Sequence, residues 1–175
     1  MLQATAMTMQ LRLIAVPVAV LCLSAEALAI DLPKRKSGLW DVKIAHDASD
    51  GPPQTMQMCI DQKTDDMAQQ MGANVAKQAC SKQDIRREGG KIVGDSVCKI
   101  GATTATSHSV FSGAFDQAYK GEIRTHYAPP LMGKSETTTV IEARWTGPCK
   151  ADQKPGDMIM PNGMKININQ MSGQQ

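Results

Sequence analysis

Twelve methionines, five cysteines and three histidines carry the side chains of this 175-residue chain best suited to ligating a metal or attacking a substrate. Met56-x-Met58-Cys59 and Met158-x-Met160 each aim two thioethers to one side of an extended segment. Thioethers are soft donors that suit Cu(I), so Met56, Met58, Met158 and Met160 are candidate ligands of a copper-handling protein. The plainer reading is that methionine fills irregular core gaps where aromatics are scarce. Composition favours it, since Trp40, Phe111, Phe115, Tyr119, Tyr127 and Trp145 are the only aromatics.

His46, His108 and His126 stand alone, outside any His-Glu-x-x-His zinc helix. There is no Gly-x-Ser-x-Gly nucleophile elbow and no glycine loop that would cradle phosphate. Ser107-His108-Ser109 sets hydroxyls beside an imidazole, but neighbours along a strand point to opposite faces and cannot form a nucleophile-base pair. Glu122, Glu136 and Glu142 read as the solvated faces of strands. A hydrolase would need a site assembled from distant positions. No catalytic residue, resident metal or cofactor is assigned.

The cysteines form no Cys-x-x-Cys redox pair and no clustered zinc pattern, which leaves structural disulfides. The start of the chain supplies a compartment for them. Residues 1–29 read as a cleavable signal peptide: Arg12, an apolar run from Leu13 to Leu23, and small residues at Ala27-Leu28-Ala29. The run is shorter than the roughly 20 residues that span a bilayer, and Pro17 interrupts it. Cleavage between Ala29 and Ile30 removes Cys22 and leaves Cys59, Cys80, Cys98 and Cys149 in an oxidising periplasm, with secretion as the alternative. Lipidation of Cys22 is disfavoured, because Leu21 rather than a small residue precedes it. Met7 or Met9 is an alternative start.

Loss of Arg12 and Glu26 with the signal leaves the formal net charge at +2, which calls for no nucleic-acid partner. Lys34-Arg35-Lys36 lies in a short basic leader, residues 30–37, and three charges hold an anionic membrane only weakly.

The elements follow from periodicity. Trp40, Val42 and Ile44 alternate with Leu39, Asp41 and Lys43, the signature of a half-buried strand. A second strand covers Gln54 to Ile60. Asp61 or Thr64 can cap a helix near residues 62–79, in which Met67, Met71 and Val75 recur every four residues and Gly72 implies a short or irregular helix. Cys80 to Glu88 and Lys91 to Ile100 flank Gly89-Gly90, a hairpin signal. Ala102 to Phe111 suits a strand, and another strand or hairpin lies in Gly113 to Tyr127, turning near Asp116-Gln117 or Lys120-Gly121. Ser135 to Thr146 alternates most cleanly. Beyond Gly147-Pro148-Cys149, residues 151–175 turn polar, with apolar interruptions at Met158 to Met160 and Ile166 to Ile168, and read as a poorly ordered tail.

A hairpin turning at Gly89 places Cys80 and Cys98 opposite each other, each nine residues from that glycine, and leaves Cys59 for Cys149. A shift of one residue separates the first pair to opposite faces, so Cys59 with Cys80 and Cys98 with Cys149 stays open as the alternative.

Ser37-Gly38-Leu39-Trp40-Asp41-Val42 behind an export signal, Met56-x-Met58-Cys59 ending the next strand, Cys80 before a glycine-turned hairpin, Cys98 in its return and the closing Gly147-Pro148-Cys149 resemble the exported bacterial domain-of-unknown-function family 3617. The resemblance covers Ser37 to Cys149. It implies a small exported domain whose four cysteines act as a structural set, and it brings no catalytic residue with it.

The expected molecule is therefore mainly β, a single antiparallel meander forming a curved sheet, half-barrel or small barrel over residues 38–150, with one short helix. Its expected role is binding or envelope maintenance rather than catalysis. An apolar small molecule or lipid held by the sheet is the main alternative.

Overall fold

The computed structural model describes residues 32–47 and 50–171. The expected signal peptide, its expected cleavage point between Ala29 and Ile30, and Cys22 lie outside the described residues. Among the described residues nine strands and two helices follow in order: β1 (Gly38–Ala45), β2 (Gln54–Ile60), α1 (Gln62–Ala79), β3 (Cys80–Glu88), β4 (Lys91–Ile100), β5 (Thr103–Ala114), β6 (Ala118–Leu131), β7 (Lys134–Gly147), β8 (Asp157–Ile159), β9 (Lys165–Asn167) and α2 (Ile168–Met171).

All nine strands join one antiparallel sheet in the order β3-β4-β5-β6-β7-β1-β2-β8-β9. The sheet is open at β3 and β9, so of the expected shapes the closed small barrel is excluded. Five consecutive strands, β3 to β7, form the meander, and the β1–β2 hairpin docks on its last strand, with Val42 opposite Ala143 and Ile44 opposite Ile141. From β2 the chain must reach β3 at the far edge, and α1 makes that crossing.

The core lies where the period-two faces of β1, β2 and β7 coincide. Trp40, fully buried, packs with Val42, Ile60 and Ala143, and Met56, Met58, Tyr119, Ile141 and Trp145 close around them. The Trp40 indole N–H donates to the Lys36 carbonyl at 2.8 Å, so its one polar group is satisfied inside the core.

Asp61 caps α1. Its carboxylate accepts from the Thr64 backbone N–H at 2.8 Å, while the Thr64 hydroxyl accepts from the Asp61 N–H at 2.9 Å. This reciprocal pair satisfies two otherwise orphaned donors. The helix then runs over the expected range, 18 residues without a break at Gly72, whose missing side chain faces open space. Its ends are held unequally: Thr64 and Asp65 are buried, whereas Val75, the last residue of the expected apolar stripe, is 62% exposed.

Of residues 151–175, expected as a polar tail, the described part to Met171 carries regular structure. The apolar interruptions seen in the sequence become β8 and β9, with Met158 opposite Met58 and Ile166 opposite Met158. The physical reason is that β2 would otherwise end the sheet with open backbone groups and exposed methionines. Asp157 accepts from the Lys154 backbone N–H at 2.9 Å and from the Asn167 amide at 2.6 Å, and Ile168 is buried, so the segment has its own anchors.

The structure bonds Cys59 to Cys149 and Cys80 to Cys98. Cys80 stands opposite Cys98 in the β3–β4 register, with an irregularity between Cys80 and Lys82. The first bond ties β2 to the chain beyond β7, a sequence separation of 90 residues.

Candidate functional site

The two faces of the sheet differ in chemistry. One presents Asp41, Lys43, Lys120, Glu142 and Arg144 around a broad depression of about 650 Å³. These charges are of both signs, and Lys120 pairs with Glu142 at 3.4 Å. Further along the same face His108 Nδ1 lies 2.7 Å from Asp95, whose other oxygen accepts from Arg86 at 2.5 Å. These two donors hold the Asp95 carboxyl below the usual carboxylate range, His108 contributing most. A polar hollow of about 290 Å³ there also brings His126, Arg124 and Glu136 near His108. No nucleophile joins them from the neighbouring serines, because Ser107 turns to Thr125 at 2.9 Å and Ser109 to the Gly94 carbonyl at 3.2 Å, both through the opposite face. His46 is remote, 3.1 Å from the Thr139 hydroxyl.

The other face carries the core at one end and, beside it, an apolar groove of about 390 Å³ roofed by α1. Its floor is made by small residues. Gly94 stands opposite Ser109 across β4 and β5, and a side chain at Gly94 would come within 2.6 Å of the Ser109 hydroxyl. Phe111 is kept low by Gly121 on the next strand, where a Cβ would lie 2.2 Å from the ring. Ile85 and Ile92 form one wall, and Phe115 and Tyr119, with ring centroids 5.3 Å apart, form the other. Leu32, Pro33 and Gln69 complete the lining.

One charged pair belongs to the groove. Arg35 donates to Asp65 through Nε at 2.9 Å and Nη2 at 2.6 Å, and the side chains are 14% and 1% exposed. Lys36 sits 3.6 Å from the centre of the Trp145 ring. Arg35 is thus fastened to the domain and Lys36, though exposed, stacks on Trp145, and together they draw residues 32–36 across the start of α1 as a strap. Because Arg35 and Asp65 neutralise each other, the groove carries no net charge.

The methionine candidates are only partly brought together. Met58 and Met158 face each other and Met56 lies two residues along β2, but Met160 sits past the end of β8, where its backbone N–H donates to the Met164 carbonyl. Met56 and Met58 pack on the core, and the Met58 sulfur lies 4.0 Å from the Arg35 guanidinium. Among the described residues no group of three or more His, Cys, Asp or Glu side chains is placed to hold a metal, and no helix is long and apolar enough to cross a membrane.

Sequence reasoning missed the groove as a set of residues. Only the small side chains at Gly94, Ser109 and Gly121 could have signalled it, and they do so only once the register is known. The chain matches no curated protein and no solved structure. The model of one family, described as a protein of unknown function (DUF3617), matches residues 35–149, from the arginine of the strap to the cysteine that closes the long disulfide. The chain belongs to the DUF3617 family.

Proposed function

We propose that this protein is an exported, non-catalytic binding protein whose groove between α1 and the sheet takes an uncharged, largely apolar small molecule or lipid chain. The observation that carries the reading is the groove itself: about 390 Å³ of unfilled space within a disulfide-tied domain, lined mainly by apolar side chains. That volume lies within the usual range of small-molecule sites, roughly 300–1,000 Å³. The internal Arg35–Asp65 pair favours a neutral ligand over a carboxylate or an amine, since either ion would have to compete with a partner already in place. Export accords with the two disulfides and with the leader pattern before Ile30.

The test is organic extraction of natively purified mature chain followed by mass spectrometry, alongside titration with the fluorescent probe 1-anilinonaphthalene-8-sulfonate and competition by neutral lipids. Ser109→Leu places a branched side chain over Gly94 and fills the floor. It should abolish co-purification and competition while both disulfides and the far-UV spectrum persist. Wild-type protein with no extractable ligand and no saturable competition would remove the proposal.

A further inference from the structure

We propose that β3 is a self-complementary edge through which two copies of this chain join, each continuing the other's sheet antiparallel about a two-fold axis at Ile85. The two sheet edges are unequal. β9 has three residues and runs directly into α2, whereas β3 has nine, and the side chains from Ser81 to Asp84 are exposed. Ile85, on the groove face of β3, is 43% exposed.

Backbone geometry selects which residues can pair outward. Gly89 and Gly90, with φ of 52° and 80°, form a two-residue turn of the left-handed type that matches strand twist. Such a turn makes its flanking residues, Glu88 and Lys91, a hydrogen-bonded pair. Bonding then alternates, so Glu88, Arg86, Asp84 and Lys82 direct their amides and carbonyls to β4, and Arg87, Ile85 and Gln83 direct theirs to the open side. A second β3 centred on Ile85 meets those groups with its own Arg87, Ile85 and Gln83.

The charges select the same register. Along the opposite face β3 reads Lys82, Asp84, Arg86, Glu88, four charges of alternating sign. Reversed about Ile85, Lys82 meets Glu88 of the second copy and Asp84 meets Arg86, giving four opposite-charge pairs. These fall at the non-hydrogen-bonded positions, where cross-strand side chains approach most closely. A slip of two residues, the smallest that keeps every side chain on its own face, opposes Lys82 to Arg86 and Asp84 to itself, or Asp84 to Glu88 and Arg86 to itself. Both slips set like charges together. The preferred register also covers the exposed Ile85 with its counterpart. This inference does not depend on any ligand in the groove.

Sedimentation velocity of the mature chain across concentration, at low ionic strength, tests it. The wild type should show a reversible monomer-dimer equilibrium weakened by salt. Lys82→Glu and Glu88→Lys each turn two attractions into two repulsions, so each should weaken dimerisation roughly tenfold or more. An equimolar mixture of the two variants restores every opposite-charge pair and should recover wild-type affinity as a heterodimer, which separates the charge effect from any folding defect. Amide exchange at Gln83 and Ile85 should slow as concentration rises. A wild type that stays monomeric up to about 1 mM, or a dimer indifferent to both reversals and to their mixing, would overturn the proposal.

Discussion

Arg35→Ala should be among the most costly substitutions outside the Trp40 core, and the asymmetry of its ion pair says why. Asp65 is 1% exposed and receives two guanidinium bonds, at 2.9 and 2.6 Å, with the Arg35 backbone N–H a third donor at 3.3 Å. Removing the guanidinium strands a carboxylate that water cannot reach, and breaking a buried pair in this way costs about 3–5 kcal/mol. The position of Asp65 in the first turn of α1 returns about 0.3–1 kcal/mol through the helix dipole. The net expectation is about 3 kcal/mol. Asp65→Ala should cost less, about 1–2 kcal/mol, because the Arg35 side chain is 14% exposed and its tip can turn to solvent. Arg35→Met with Asp65→Leu removes both charges and should restore most of the loss. Urea unfolding of the oxidised proteins measures this as a shift in midpoint at unchanged slope. Equal costs for the two single substitutions, or a cost below about 1 kcal/mol for Arg35→Ala, would refute the reasoning.

Closing a loop of 90 residues restricts the unfolded chain more than closing one of 18, so replacing Cys59 and Cys149 with Ser should cost about 4.5 kcal/mol against about 3 kcal/mol for Cys80 and Cys98, read from denaturant midpoints. Burial pushes the Asp157 carboxyl up, but bonds from Asn167 and the Lys154 N–H, with Lys165 nearby, outweigh it and leave it below its ordinary value. Its contribution is therefore complete at neutral pH and lost as pH falls below about 4. Limited proteolysis should show residues 150–171 becoming cleavable over that range, and Asp157→Asn should remove the pH dependence. Gly121→Ala drives a methyl into the Phe111 ring and should destabilise by about 1–3 kcal/mol. It should also push Phe111 up into the groove, so probe binding should fall further than stability does.

How much of this was legible in the sequence depends on whether the signal was local. Trp40, Val42 and Ile44 announce β1 because burial on one face of a strand repeats every second residue, and Ser135 to Thr146 announces β7 in the same way. Gly89-Gly90 marks its hairpin because glycine, with no Cβ, takes two successive positive φ angles without strain. Asp61 with Thr64 marks the helix start because the capping atoms lie within one turn. The sequence left Asp116-Gln117 and Lys120-Gly121 as rival turns, and the chain turns at the first. Gly121 serves instead to seat a ring from the neighbouring strand, a role with no local signature.

The groove fails to show in the sequence for the same physical reason. Its walls come from the strap, α1 and four strands, and each contributing segment has a complete local explanation without it. Ile92 continues a strand pattern, Asp65 suits a helix start, and Arg35 belongs to a run of three cations. What joins them is the crossing from β2 to the far edge at β3, which lays α1 over a floor of Gly94 and Ser109. A helix buried at Thr64 and Asp65 and tied to the sheet at its far end by the Cys80–Cys98 bond is still exposed at Val75, so its second half is the more loosely packed. Local stability follows the density of buried contacts, so that half of α1 should open before the sheet does. Hydrogen exchange places this on a scale: amides from Ala73 to Gln78 should exchange much faster than those of β5 and β6, and an occupant of the groove should narrow that difference. Uniform protection along α1 would mean that the helix is fixed over its whole length and that the groove does not open by this route.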